Sequence, residues 1–173
     1  MRLTLSLAAL AATLASTSPA LAATTTAVAS AEARGLVLQP LTLTKVSDLD
    51  FGTIIGSTVA GSVTIDSDTG ARAKTGGVLL VTAYPGGRAT FAGAGTAGTP
   101  VSLSLTAPAV LVSTSNPTDT LVVTALSLDS NGANRSIDTT GAFTVGVGGN
   151  FAIAASQPNG LYTAQFDLTA DYQ

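Results

Sequence analysis

Leu161-Tyr162-Thr163-Ala164-Gln165-Phe166-Asp167-Leu168-Thr169-Ala170-Asp171-Tyr172 sets the fold class. Tyr162, Ala164, Phe166, Leu168, Ala170 and Tyr172 alternate with Thr163, Gln165, Asp167, Thr169 and Asp171. Successive side chains of a strand point to opposite faces, so this period of two gives a strand with one apolar and one polar face. A helix would place its apolar residues three and four apart.

The same texture extends back through the chain, with Thr, Val, Ser and Gly where a helical protein carries Glu, Lys, Gln and Leu. Strands are expected over 35–45, 49–55, 61–66, 77–83, 88–94, 101–107, 110–114, 120–128, 142–147, 150–154 and 161–172. Turn residues separate them, among them Asp68-Thr69-Gly70, Tyr84-Pro85-Gly86-Gly87, Asn116-Pro117 and Gln157-Pro158-Asn159-Gly160. Many short strands at this spacing indicate an all-β antiparallel sandwich or barrel. Over 120–128 the alternation of Leu121, Val123 and Ala125 shifts by one at Leu126 and Leu128, which predicts a bulge. Gly146-Val147-Gly148-Gly149-Asn150 reads as a turn. The expected core is Phe51, Ile54, Val63, Ile65, Val78, Leu80, Phe91, Leu103, Leu121, Val123, Phe166 and Leu168.

The length of 173 residues is one domain's worth, and 46% hydrophobic with 10% charged residues describes a chain that folds. Without His or Cys, the chain has no Ser-His-Asp or Cys-His constellation, no thiolate zinc site and no disulfide. No catalytic residue, metal ligand or cofactor site is expected. Seven Lys plus Arg against a net charge of −3 argue against nucleic acid as a partner.

Residues 1–22 read as a secretory signal: Arg2, an apolar run over 3–15, and Ala20-Leu21-Ala22 as a cleavage site. The run is too short to span a bilayer, and no other stretch is long enough, so no integral membrane helix is expected. Residues 23–34 then form an extension before a sandwich domain over 35–173. In the extension Ala27, Ala29, Ala31 and Ala33 share one face of an extended chain, opposite Thr26, Ser30, Glu32 and Arg34. Two readings stand side by side, a frayed terminus and a small-residue strand donated to a neighbouring subunit.

The polar constellations have bland readings. Asp48 and Asp50 flank Leu49 and read as the solvated side of a strand. Asp66-Ser67-Asp68-Thr69-Gly70 starts like a calcium loop but lacks the distal Glu, and its residues suit a hairpin turn. Asn134-Arg135-Ser136 matches a glycosylation sequon, a pattern frequent by chance.

Gly160 is the fourteenth residue from the end and Tyr172 is penultimate, with alternation between them through Tyr162, Phe166 and Leu168. This resembles the C-terminal strand of chaperone–usher pilins. The resemblance implies that Gly160, Tyr162, Phe166, Leu168 and Tyr172 frame a strand read by a periplasmic chaperone.

The chain also resembles the bacterial family called domain of unknown function 4402, an adhesin-like group of exported β-proteins. Pro40-Leu41-Thr42-Leu43-Thr44-Lys45, Leu49-Asp50-Phe51-Gly52-Thr53-Ile54 and Gly61-Ser62-Val63-Thr64-Ile65-Asp66 carry the likeness, followed by Gly76-Gly77-Val78, Ala89-Thr90-Phe91, Gly148-Gly149 and Gln157-Pro158-Asn159-Gly160-Leu161-Tyr162. It implies an immunoglobulin-like antiparallel sandwich of pilin or adhesin type, exported through the periplasm to the cell surface, and no catalytic residues. The expected function is a structural subunit that assembles by β-strand addition with copies of itself or other surface subunits, aided by a periplasmic chaperone and an outer-membrane usher. The alternative is a monomeric surface or periplasmic sandwich that binds a glycan or other ligand through its loops. Tyr84, in a Pro-Gly-Gly loop, is the one Tyr off the apolar face of the last strand.

Overall fold

The computed structural model describes residues 26–173, and among these the chain forms strands and no helix. In order they are Thr42–Ser47 (β1), Ile54–Ile55 (β2), Gly61–Ile65 (β3), Arg72–Gly76 (β4), Leu79–Leu80 (β5), Ala89–Ala94 (β6), Pro100–Thr106 (β7), Val110–Ser113 (β8), Thr120–Leu128 (β9), Asn134–Ser136 (β10), Ala142–Ile153 (β11), Tyr162–Thr163 (β12) and Asp167–Tyr172 (β13). The chain divides into Met1–Gly35, whose described residues 26–35 form no strand, and Leu36–Gln173. The expected signal peptide over 1–22, and residues 23–25 of the expected extension, lie outside the described residues.

Every pairing is antiparallel, and β11 organises the main sheet. One edge of β11 pairs first with β6, from Ala142 to Val147, and then with β3, from Gly149 to Ile153. The other edge pairs with β9, and β8 and β12 follow. β1 closes the β6 side and β4 the β3 side. The second layer is β10-β7-β13, with a small β2-β5 ladder beside it. Together they make an all-β antiparallel sandwich.

The residues expected to make a turn at 146–150 instead lie inside the 12-residue strand β11, and Gly146, Gly148 and Gly149 are buried. A methyl group on Gly146 would collide with the Ser67 carbonyl, and one on Gly148 with the Ile65 carbonyl. These glycines let the chain leaving β3 cross against β11. The bulge expected in β9 is present: Asn150 faces Ala125 and Phe151 faces Val123, so Thr124 is the extra residue.

Other expected boundaries shift for local reasons. The first strand starts at Thr42, not Gly35, because Pro40 has no amide hydrogen to donate and the polar groups of Gln39 are satisfied elsewhere. The Gln39 amide donates to the Thr96 hydroxyl at 2.7 Å, and its carbonyl accepts from the Tyr172 hydroxyl at 2.8 Å. Of 49–55, only Ile54–Ile55 pairs as a strand. The Gly52 amide is taken by the Asp50 carboxylate at 2.8 Å, and Gly52 turns the chain with φ 70°. The stretch 161–172 is two strands: β12 pairs with β8 in the main sheet and β13 with β7 in the second layer. Residues 164–166 cross between them unpaired, and the expected alternation lapses there at the exposed Ala164 while Tyr162, Phe166, Leu168, Ala170 and Tyr172 stay half-buried.

Two apolar clusters hold the layers together. Ala89, Val101, Leu103, Ile137, Phe143, Val145 and Val147 form one, between β6-β11 and β7-β13. Val63, Val78, Leu121, Phe151 and Ile153 form the other, under Phe51, Ile54, Leu80, Leu111 and Tyr162. Of the expected core, Val63, Ile65, Val78, Leu103 and Leu121 are buried, whereas Phe51, Ile54, Leu80, Phe91, Val123, Phe166 and Leu168 are half-buried.

Candidate functional site

Most of those half-buried residues meet in one place. Phe51, Ile54, Phe91, Val123 and Phe166 line a groove of about 1350 Å³, together with Leu111, Leu121, Leu126, Phe151 and Ile153. Its floor is the inward face of β8, β9 and β11. Residues 48–58 form one wall and residues 156–167 the other.

Each wall is braced from behind. The Arg72 guanidinium donates to the carbonyls of Phe51 at 2.9 Å, Thr53 at 3.1 Å and Val81 at 2.6 Å, tying residues 51–53 to the chain leaving β5. On the opposite wall the Gln157 amide group donates to the Thr120 carbonyl at 3.1 Å and the Tyr162 hydroxyl at 3.0 Å. That hydroxyl donates to the Pro158 carbonyl at 2.7 Å. Edge-to-face pairs tie the walls to the main sheet: Phe51 with Phe151 of β11, centroids 4.5 Å apart, and Phe166 with Phe91 of β6, 6.0 Å apart.

The walls offer backbone as well as side chains. Residues 164–166 pair with no strand, and β13 is paired on one edge only, by β7. The groove therefore combines an apolar trough with the unpaired backbone of residues 164–166, both of which a peptide in β-conformation can use. Lys45, Asp48, Asp50 and Asp167 supply the charged part of the lining, with Lys45 Nζ and Asp48 Oδ1 2.6 Å apart.

Residues 41–172 match a family model described as Domain of unknown function (DUF4402). The chain belongs to the DUF4402 family. No curated protein and no solved structure matches it.

Within this DUF4402 domain, the candidate C-terminal residues separate into two sets. Gly160, Tyr162 and Phe166 line the groove, whereas Leu168 and Tyr172 pack with Ala170 against the cluster under β7. Ala27, Ala29, Ala31 and Ala33 are exposed. Sequence reasoning assigned Phe51, Ile54, Phe91 and Val123 to a closed core and so missed their place in the groove. Nor did it register Arg72 or Gln157, whose roles depend on which carbonyls the fold brings to them.

The polar motifs serve local geometry. Asp66 Oδ1 accepts from the Thr69 hydroxyl at 2.7 Å and from the Thr69 and Asp68 amides, bonds that hold its pKa below the ordinary carboxylate value. The Asp68 carboxylate accepts from the Ser130 amide at 2.7 Å. Asp48 and Asp50 do not share a strand face, because β1 ends at Ser47 and Asp50 pairs only in an isolated bridge with Gly87. Asn134 of the sequon is exposed in β10 and accepts from the Gln173 side chain at 2.7 Å.

DUF4402 residues Asp129 and Arg135 form a buried ion pair at 2.5 Å. Arg135 also donates to the carbonyls of Gly132 at 2.9 Å and Thr144 at 2.5 Å, and Asp129 Oδ2 accepts from the Gly146 amide at 2.7 Å. Burial pushes the Asp129 carboxyl up, but the Gly146 N–H and the Arg135 guanidinium outweigh it, and its pKa lies below the ordinary value. The pair thus holds β10 beside β11, away from the groove.

Proposed function

We propose that this DUF4402 chain is an exported, non-enzymatic structural subunit of the bacterial surface that assembles by β-strand addition. The groove is the acceptor, and an extended segment of a neighbouring subunit fills it. The observation that carries this reading is the groove itself, where large apolar side chains stay half-exposed beside the unpaired backbone of residues 164–166. A monomer has a strong reason to cover such a trough, since burial of apolar area contributes about 25 cal/mol per Å². Strand pairing satisfies the free backbone at the same time. In transit through the periplasm a chaperone strand would occupy the same place, and an outer-membrane usher would exchange it for a subunit.

The test is assembly. The full chain, expressed with its leader in a bacterial host, is sheared from cells and imaged by electron microscopy, with light scattering on the purified protein. Filaments or a concentration-dependent ladder of oligomers are expected; strictly monomeric protein at all concentrations would sink the proposal. The other reading, ligand binding through loops, draws on Tyr84, which is 68% exposed. It predicts binding to immobilised glycans that Tyr84→Ala removes and groove substitutions leave intact.

A further inference from the structure

We propose that Asn159-Gly160 is a self-modifying site of the folded protein, where the Asn159 side-chain amide is lost and aspartate or isoaspartate takes its place. The second Asn-Gly pair, Asn131-Gly132, is held unreactive by its hydrogen bonds. The proposal is independent of what occupies the groove.

The chain has five asparagines, at 116, 131, 134, 150 and 159, and those at 131 and 159 precede glycine. An asparagine side chain is open to attack at Cγ by the backbone nitrogen of the next residue, and the attack is least hindered where that residue has no Cβ. Asn116 is followed by Pro117, whose nitrogen has no hydrogen to give up. Asn134 and Asn150 lie inside β10 and β11 and precede the bulky Arg135 and Phe151. Asn131 and Asn159 are therefore the chemically competent positions.

The fold treats these two pairs differently. The Asn131 amide donates to Asp129 Oδ1 at 3.2 Å, the Gly132 amide donates to the Asp129 carbonyl at 2.9 Å, and the Gly132 carbonyl accepts from Arg135 Nε at 2.9 Å. Asp129 and Arg135 are themselves a buried ion pair, so the Gly132 nitrogen is both engaged and fixed. Asn159 and Gly160 are exposed, and among the described residues the Gly160 amide donates to no acceptor. Their neighbours are pinned: the Pro158 carbonyl accepts from the Tyr162 hydroxyl at 2.7 Å, and the Leu161 carbonyl from the Thr114 amide at 2.8 Å. Asn159-Gly160 is thus a short span with an unengaged nucleophile between two anchors.

The chemistry needs only water and hydroxide. Hydroxide removes the Gly160 amide proton, the nitrogen's electron pair forms a bond to Asn159 Cγ, and the Cγ–Nδ2 bond breaks. Ammonia leaves with a proton from water, and a cyclic succinimide remains. Water then opens the ring. Cleavage at the side-chain carbonyl gives aspartate; cleavage at the main-chain carbonyl gives isoaspartate, which routes the backbone through the side chain and lengthens it by a methylene group. Either product places a new carboxylate in the groove wall that Asn159 lines. Isoaspartate also lengthens the chain between the anchors at Pro158 and Leu161, and so loosens this wall.

In the experiment the full chain is incubated at mildly alkaline pH, folded and in urea, and peptide maps follow the amide-to-acid mass change and the isoaspartate content at each site. In the folded protein Asn159 is expected to convert at least about fivefold faster than Asn131, the factor that corresponds to the roughly 1 kcal/mol hydrogen bond that Gly132 must give up. In urea the two rates should converge, because both pairs are then unstructured Asn-Gly. Equal rates in the folded protein, a faster Asn131, or a difference that survives in urea would overturn the proposal. Hydrogen exchange reads the consequence for the wall. Aged protein enriched in isoaspartate should exchange the Thr114 amide faster than Asn159→Asp, which adds the charge without lengthening the chain. Identical exchange in the two would overturn the loosening.

Discussion

The Tyr172 hydroxyl donates to the Gln39 carbonyl at 2.8 Å and accepts from the Thr96 amide at 2.8 Å, so one side chain joins the last strand to the chain entering the first. With the Gln39 amide on the Thr96 hydroxyl, the three residues close a ring of hydrogen bonds. Tyr172→Phe keeps the ring packed against Leu168 and Ala170 but leaves the part-buried Thr96 amide without its acceptor. A loss of about 1 kcal/mol in urea unfolding is expected, with faster hydrogen exchange at Thr96. Unchanged exchange there would mean that the hydroxyl does not hold this junction.

The Asp129–Arg135 pair makes acid a specific threat to the fold. Its folded pKa lies below the value near 3.9 of an unfolded Asp. The unfolded state therefore binds more protons as the pH falls, and the stability owed to this carboxylate, present above about pH 4, is lost on acidification through the folded pKa. Asp66 and Asp138, whose pKa values are also lowered by hydrogen bonds, add to the same slope. Denaturant midpoints between pH 2.5 and 6 should fall with pH in the wild type and fall less in Asp129→Asn. Asp129→Ala, which strands a buried guanidinium, should cost about 3–5 kcal/mol at pH 7.

Arg72 holds a wall of the groove rather than a partner charge. Its replacement by Met keeps much of the aliphatic stem and releases the carbonyls of Phe51, Thr53 and Val81. Roughly 1.5–3 kcal/mol of stability should go, the scale of hydrogen bonds to a charged donor. Protection from hydrogen exchange should drop in residues 50–55 and 80–84 first. Loss spread evenly over the sandwich would contradict a local brace.

Period-two alternation made the β class and most strand positions legible, and the shift at Leu126 marked the bulge of β9. Alternation is silent about what lies above a face. Phe51, Phe91, Val123 and Phe166 have the pattern of core residues, and only the open groove between residues 48–58 and 156–167 leaves them half-exposed. Glycine runs misled for a related reason: Gly146, Gly148 and Gly149 serve a crossing of two chain segments, and a crossing is a long-range fact that looks locally like a turn. Asn134-Arg135-Ser136 has no apolar alternation at all. It is a strand because it pairs with β7 while the buried Arg135 side chain finds Asp129 and the carbonyls of Gly132 and Thr144.

Phe151 and Phe166 test whether the groove is open in solution. Phe151 is buried in the floor against Val63 and Ile153, whereas Phe166 stands half-exposed in a wall beside Phe91. Truncating a buried Phe to Ala costs about 3–5 kcal/mol, since both transfer energy and packing are lost. A half-exposed ring loses only part of each, so Phe166→Ala should cost roughly 1–2.5 kcal/mol in the monomer. If the groove takes a strand, the remaining area of Phe166 becomes buried on assembly, and the substitution should weaken self-association beyond its effect on folding. Urea unfolding of both variants under monomeric conditions, followed by sedimentation at rising concentration, separates the two effects. Equal losses for Phe151→Ala and Phe166→Ala in the monomer would show that the walls close over the floor without a partner, and the groove would then have no place for a donor.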